Sequence, residues 1–179
     1  MIWPRARFRT DRLILRPYRR RDAARLPIYL DDWDTARWLS RTPFPYSLQD
    51  AHDWIRMSRR ILRRGEGYPL AITARSDKVL MGGIGLSLQT GEVGYWLGSQ
   101  WRGRKLVSEA LGKIIEIAFQ QHQLPGLVAN VLPDNVASRR VLEKQGFREV
   151  GQDMQDFRGE AKTVIKYELK NMEGWQAAA

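Results

Sequence analysis

Between about Lys105 and His122, the residues Leu106, Val107, Ala110, Leu111, Ile114, Ile115, Ala118 and Phe119 recur at helical spacing and form one broad apolar face. Such a face has to be buried against another layer, and the segments around it change to the period of strands. Tyr68 to Ala74 and Val79 to Leu88 read as strands joined by the turn Arg75-Ser76-Asp77-Lys78, and Thr90-Gly91 turns into a third, Glu92 to Leu97. Leu127 to Val131 reads as a short buried strand after Pro125-Gly126. Phe147 to Phe157 and Ala161 to Lys170 form a last pair that turns at Arg158-Gly159.

Upstream, Arg12 to Tyr18 reads as an opening strand with Leu13 and Leu15 on one face, followed by two short helices, Asp22 to Leu30 and Asp32 to Leu39. A longer helix runs from about Leu48 to Leu62. Ser47 and Asp50 have the spacing of a capping box at its start, and Gly65 ends it. Another helix spans about Val136 to Gln145, opened by Pro133-Asp134-Asn135 and closed by Gly146. The order is strand, helices, three strands, helix, strand, helix, two strands, with no internal repeat and no linker. The expectation is one α+β domain with a mixed sheet over residues 1–172, and a short tail over 173–179.

Composition narrows the chemistry. Cysteine is absent, which excludes a disulfide framework, a thiolate metal site and a cysteine nucleophile. The two histidines, His52 and His122, fall near helical surface positions and read as solvated, so no metal site is expected. No apolar run is long enough to cross a bilayer, and Met1-Ile2-Trp3-Pro4-Arg5 lacks the apolar stretch of a signal peptide, so the cytoplasm is the default compartment. The net charge of +10 attracts polyanions. The basic residues read as scattered, with clusters at Arg19-Arg20-Arg21, Arg59 to Arg64 and Arg102 to Lys105, and no zinc-finger or RNP-type pattern accompanies them.

The stretch from Gly94 to Lys105 runs from a strand through a basic loop into a helix. Free N–H groups and the positive dipole end of a helix make an anion site there, and Arg102, Arg104 and Lys105 add charge. A solvated basic turn is the bland alternative. A second stretch, Asn135 to Phe147 after Val131-Leu132-Pro133, weighs against it. Gly94-Tyr95-Trp96, Trp101-Arg102-Gly103-Arg104 and Ser108-Glu109-Ala110-Leu111 are followed by Asn135, Ser138, Glu143, Lys144, Gly146 and Phe147 in an N-x-x-S…E-K-x-G-F pattern. With the opening Thr10-Asp11-Arg12-Leu13-Ile14-Leu15-Arg16, these segments resemble the GNAT acyltransferase superfamily, and more narrowly its ribosomal-protein N-terminal acetyltransferase-like group, over about residues 8 to 170.

The resemblance implies a mostly antiparallel mixed sheet, flanked by helices, whose central parallel pair splays to admit acetyl-coenzyme A as co-substrate. The gap would lie between Glu92–Leu97 and Leu127–Val131, with a backbone N–H near Leu97 as oxyanion donor. Cofactor contacts are expected at Trp96, Leu97, Arg102, Gly103, Arg104, Lys105, Leu106, Val107, Asn135 and Lys144. Ser138 matches the group's thiolate proton donor; the alternative is that Asn135 caps the helix and Ser138 is its third residue. Glu92 stands where some members carry a general base, and otherwise reads as an edge-strand surface glutamate; Asp153 and Asp156 are further candidates. Trp33, Trp38 and Trp54 stand in the region from which members build the acceptor wall.

Lys105 and Val107 depart from the family's phosphate loop, where glycine and a small residue are usual. The expectation is that Lys105 keeps ordinary helical torsions and swings its ammonium toward phosphate. The implied acceptor is an amine: a protein N-terminus, ribosomal proteins included, or a small molecule. A homodimer is common in the group, and nucleic acid enters only through proximity to a ribosome. Transfer from another acyl-coenzyme A, a degenerate binding module and a nucleic-acid-binding protein are the rival readings.

Overall fold

The computed structural model describes residues 6–171. Five strands pair antiparallel in chain order: β1 (Phe8–Arg9), β2 (Leu13–Pro17), β3 (Leu70–Ala74), β4 (Leu80–Leu86) and β5 (Val93–Leu97). A second antiparallel sheet has the order β6 (Gly126–Val131), β8 (Glu160–Lys170), β7 (Arg148–Phe157). The expected mixed sheet is therefore two antiparallel sheets that touch at one place. Glu92 bridges Val128 in parallel sense, and the Val128 N–H donates to the Gly91 carbonyl at 3.0 Å.

Helices cover both faces. α4 (Leu106–Glu116) buries Leu106, Ala110, Leu111, Ile114 and Ile115 against a core shared with Leu13, Leu15, Ile72, Val93, Leu97, Leu127 and Val131, and α5 (Val136–Lys144) adds Leu142. On the opposite face α1 (Leu26–Leu30), with α2 (Trp33–Ala36) beside it, and α3 (Leu48–Arg64) pack Leu26, Tyr29, Ala51 and Ile55 around Tyr18, Tyr46, Ala71 and Leu80. α3 has the expected capping box between Ser47 and Asp50, and Gly65 ends it at φ 70°.

Three local expectations are corrected. The helix expected to run to His122 opens after Glu116 into a wider turn, Ile117–Gln121, with the His122 N–H bonded to the Ile117 carbonyl. His122 is not merely solvated: its Nε2 lies 2.8 Å from the Tyr68 hydroxyl, and partial burial lowers its pKa. The helix expected from Asp22 starts only at Leu26, because Asp22 is turned inward. Its carboxylate receives Nη1 and Nη2 of Arg16 at 2.7 and 2.8 Å and the Arg19 N–H at 2.7 Å. The tail expected over 173–179 lies outside the described residues.

Both partners of the Arg16–Asp22 pair are about 95% buried, so removing one leaves an uncompensated charge in the interior. Asp22→Ala should cost about 3–5 kcal/mol of unfolding free energy, read from the urea midpoint. A change within about 0.5 kcal/mol, typical of surface sites, would contradict this role.

Candidate functional site

β5 and β6 each pair along one edge only. Gly98 N–H bonds back to Met81 and Ser87 N–H bonds to the Glu92 carbonyl, so the even-numbered residues of β5 turn their backbone groups toward β4. The odd ones, Val93, Tyr95 and Leu97, present N–H and C=O to the side of β6. From β6 the backbone of Val128 faces β5, and Asn130 continues that phase. Past the Glu92–Val128 bridge these edges have no partner in the sheet. An extended chain with amide groups fits such a gap as an added strand.

Side chains on β5 divide between the two faces. Val93, Tyr95 and Leu97 pack with the α4 core, while Trp96 packs with the α1–α3 core. Tyr95 reaches α5, where its hydroxyl lies 2.9 Å from Ser138 Oγ; burial pushes its pKa up to about 12, so the phenol keeps its proton at neutral pH. Asn135 Oδ1 accepts the Ser138 N–H at 3.1 Å, so the capping alternative holds as well. The cap uses the backbone of Ser138 and leaves its hydroxyl to Tyr95. Trp96 sits 6.2 Å from Tyr29, on the face away from α4 and α5, and Gly83 leaves the space in which its Nε1 approaches the Tyr18 hydroxyl.

The loop before α4 shows the largest departure from expectation. Lys105 is not helical but left-handed, at φ 59°, ψ 16°, and precedes a helix that starts at Leu106. Gly103 is also left-handed, at φ 75°. Lysine thus occupies a backbone conformation suited to glycine, at a cost of about 1 kcal/mol. No side chain caps α4, so the first amides, at Leu106, Val107 and Ser108, are open to an anion. Gln145 on the last turn of α5 donates to Ser108 Oγ at 2.9 Å, which brings the exposed Lys144 to the same end.

The two loop arginines differ. Arg102 donates to Thr35 Oγ1 at 2.7 Å and to the carbonyls of Asp34 and Leu97 at 3.3 Å. It ties α2 to the end of β5, so its guanidinium is engaged within the protein. Arg104 stands over the Trp101 ring at 5.5 Å.

A brace from outside the loop holds this geometry. Glu109, in the first turn of α4, accepts from Thr10 Oγ1, from the Arg12 N–H at 2.9 Å and from Arg12 Nε at 2.7 Å. Arg12 Nη1 also donates to the Arg104 carbonyl at 3.0 Å. Partial burial opposes the carboxylate charge, but these bonds outweigh it and hold the Glu109 pKa below its usual range. Thr10, Arg12 and Glu109 belong to the family-like motifs, yet nothing in the sequence shows that residues 97 apart meet.

Across the sheet, a groove of about 2330 Å³ joins the loop, the parted strands and a wall made by Trp38, Tyr46, Trp54 and Met57. Trp54 stacks edge-on against Tyr18 at 5.9 Å, whereas Trp33 is half-exposed over Phe44. The β7–β8 hairpin closes the far side. Arg158 at its tip donates to the carbonyls of Ala36 and Leu39, and Gln155 and Phe157 line the groove.

Glu92 is no free edge residue: it occupies the bridge where the strands begin to part. Asp156 is spent on the hairpin turn, accepting the Gly159 N–H, and Asp153 accepts the N–H of Met154. Two buried side-chain polar atoms have no partner among the described residues, Trp101 Nε1 in the loop, packed on the α4 core, and Asn130 Oδ1, which belongs to the gap-side strand and to the groove. An acceptor at the gap, with open amides at the loop and free strand edges between, fits a ligand that combines phosphate and amide groups.

The family model described as an acetyltransferase (GNAT) domain matches residues 12–148. The chain belongs to this family. It is 32% identical over 112 residues, 59% of its length, to a Bacillus subtilis protein named as a probable N-acetyltransferase, YjcK, of which it spans 62%. It is 27% identical over 161 residues to the [ribosomal protein uS5]-alanine N-acetyltransferase of Escherichia coli, covering 83% of this chain and 81% of that one. Mycobacterium smegmatis RimJ, solved in complex with CoA-disulfide, superposes with a TM-score of 0.79 over 92% of this chain and 85% of its own, at 24% identity, and so shares the GNAT fold.

Two outcomes test the loop. Glu109→Gln keeps the shape and loses the charge of the brace, and should weaken coenzyme A binding by about 1–2 kcal/mol, roughly five- to thirtyfold in Kd. An unchanged Kd by calorimetry would make the brace irrelevant to the loop. Lys105→Gly should raise stability by about 1 kcal/mol as the left-handed strain is relieved, and bind coenzyme A equally or more weakly for want of the ammonium. Tenfold tighter binding would show instead that the lysine obstructs the site.

Proposed function

We propose that this GNAT enzyme transfers the acetyl group of acetyl-coenzyme A to the α-amine of a protein N-terminus, by direct attack of the neutral amine on the thioester. The observation that carries this reading is the gap between β5 and β6, with open α4 amides at one end and the Tyr95–Ser138 pair on its wall. Arg104, Lys105, Lys144 and the amides of Leu106 to Ser108 would hold the pyrophosphate. The free N–H and carbonyl of Tyr95 would pair with the pantetheine amides, and the Leu97 N–H, whose carbonyl is taken by Arg102, would face the oxygen on which charge develops.

Ser138 Oγ is the proton donor to the departing thiolate, and the Tyr95 phenol, which keeps its own proton, donates a hydrogen bond that stabilises the Ser138 oxygen until water returns its proton. Glu92, on the acceptor side of β5 with Trp96, takes the amine proton directly or through water. Lys105 in a glycine-like conformation argues for a working loop over a degenerate one. A protein acceptor suits the open groove better than an enclosed small-molecule pocket does. The similarity to a ribosomal-protein alanine acetyltransferase supports the same class.

Ser138→Ala should lower kcat about a hundredfold with the Kd for coenzyme A nearly unchanged, and Tyr95→Phe should lower kcat less. Normal turnover with a lowered melting temperature would leave Ser138 only its capping role. Thiol release with peptides bearing free N-termini, set against polyamines and aminoglycosides, tests the acceptor. Preference for any small amine over every peptide would overturn the protein reading.

A further inference from the structure

The charge of this chain is unevenly placed. Residues 1–75 hold seventeen arginines, no lysine and eight acids, so nine of the ten net positive charges lie there. The clusters that look scattered along the sequence are brought together by the fold. On α3, Arg56, Arg60 and Arg63 stand on successive turns and, with Arg59, rim a shallow hollow of about 690 Å³ completed by Asp53 and Met57. Arg59 Nε donates to the Tyr18 carbonyl at 3.3 Å, which lays the middle of α3 beside the exposed run Arg19, Arg20 and Arg21. Burial, with repulsion from Arg16, Arg21 and Arg7, pulls the pKa of Arg19 down, as expected where like charges crowd.

Little on the protein offsets this crowding. Asp22 is taken by Arg16, Asp53 by Arg56 and Glu66 by Arg64. Among the described residues no ion pair engages Arg20, Arg21, Arg60 or Arg63. The planar fork of arginine matches phosphate oxygens in pairs, which a lysine does not do. Met57 is the exposed apolar side chain in the hollow, so the face carries no aromatic or aliphatic wedge for a lipid surface. Asp53 and Met57 also line the large groove, so a partner seated on the arginines lies beside its mouth.

We propose that the arginine face formed by α3 and the Arg19–Arg21 run docks the phosphate backbone of a structured RNA, and so brings an amine on an RNA-bound protein to the groove across α3. The choice of RNA rests on the protein-acceptor reading above. A convex helix edge carrying guanidinium groups suits the phosphates bordering the wide, shallow minor groove of an RNA duplex.

The test is fluorescence anisotropy of a labelled RNA hairpin against the full chain between about 50 and 200 mM KCl. The expected result is binding that weakens with salt and falls at least tenfold in Arg60→Glu/Arg63→Glu and in Arg20→Glu/Arg21→Glu. The milder Arg60→Gln/Arg63→Gln should lower the slope of log K against log salt by about two, close to one for each phosphate that is no longer neutralised. Thiol release with a short peptide should be unchanged in all of them. RNA binding indifferent to these substitutions overturns the proposal, as does equal, equally arginine-dependent binding to phosphatidylserine vesicles. Arginine-dependent RNA binding by a chain that acetylates no peptide would support the docking face and sink the acceptor reading alone.

Discussion

β5 and β6 run parallel, meet at Glu92 and Val128, and then separate, while their other edges stay paired to β4 and β8. Each strand follows the twist of its own antiparallel sheet beyond that bridge. The consequence is a pair of unpaired backbone edges inside an otherwise packed domain, a state that costs free energy unless a ligand or water meets it. That defect is also the opening through which the two faces communicate. On one face stand Tyr95, Ser138 and the start of α4. Trp96, Asn130 and the wall from α3 stand on the other. A closed eight-stranded sheet would separate the two faces completely.

The phosphate-side loop shows how a site tolerates an unsuitable residue. Left-handed backbone at Lys105 is strained, and such strain persists only where the surroundings over-determine it. Here the surroundings are explicit. Glu109 is held by Thr10 and Arg12, Arg12 holds the Arg104 carbonyl, and Gln145 holds Ser108. Arg102 anchors the other side of the loop to α2. The open amides are thus supported by the β1–β2 turn, α2 and the end of α5, and the loop needs no glycine at position 105 to keep its turn.

Much of this is legible in the chain. The helical period from Leu106 to Ile115, the Ser47–Asp50 capping box and the turn at Arg158-Gly159 are local patterns, and the structure has each of them. Ser138 is legible through its spacing from Asn135 and from the Glu143-Lys144 pair. Tyr95, within Gly94-Tyr95-Trp96, goes unmarked as a site residue because its role comes from a hydrogen bond to α5, 43 residues later. Asn130 goes unmarked for the opposite reason: what distinguishes it is the partner that its buried oxygen lacks.

By itself the sequence determined most of the helices and strands, the order in which they follow one another and which residues form a loop able to meet an anion, since periodicity and capping act over a few residues. Only the tertiary structure decided that Lys105 is left-handed, that Arg102 is spent on α2, that Trp96 packs on the face of α1 and α3 and that separate arginine clusters share one surface. Those outcomes depend on which face of a strand a neighbour covers and on side chains far apart in the chain. A side chain's alternatives are close in energy until packing removes all but one, and packing is a property of the whole fold.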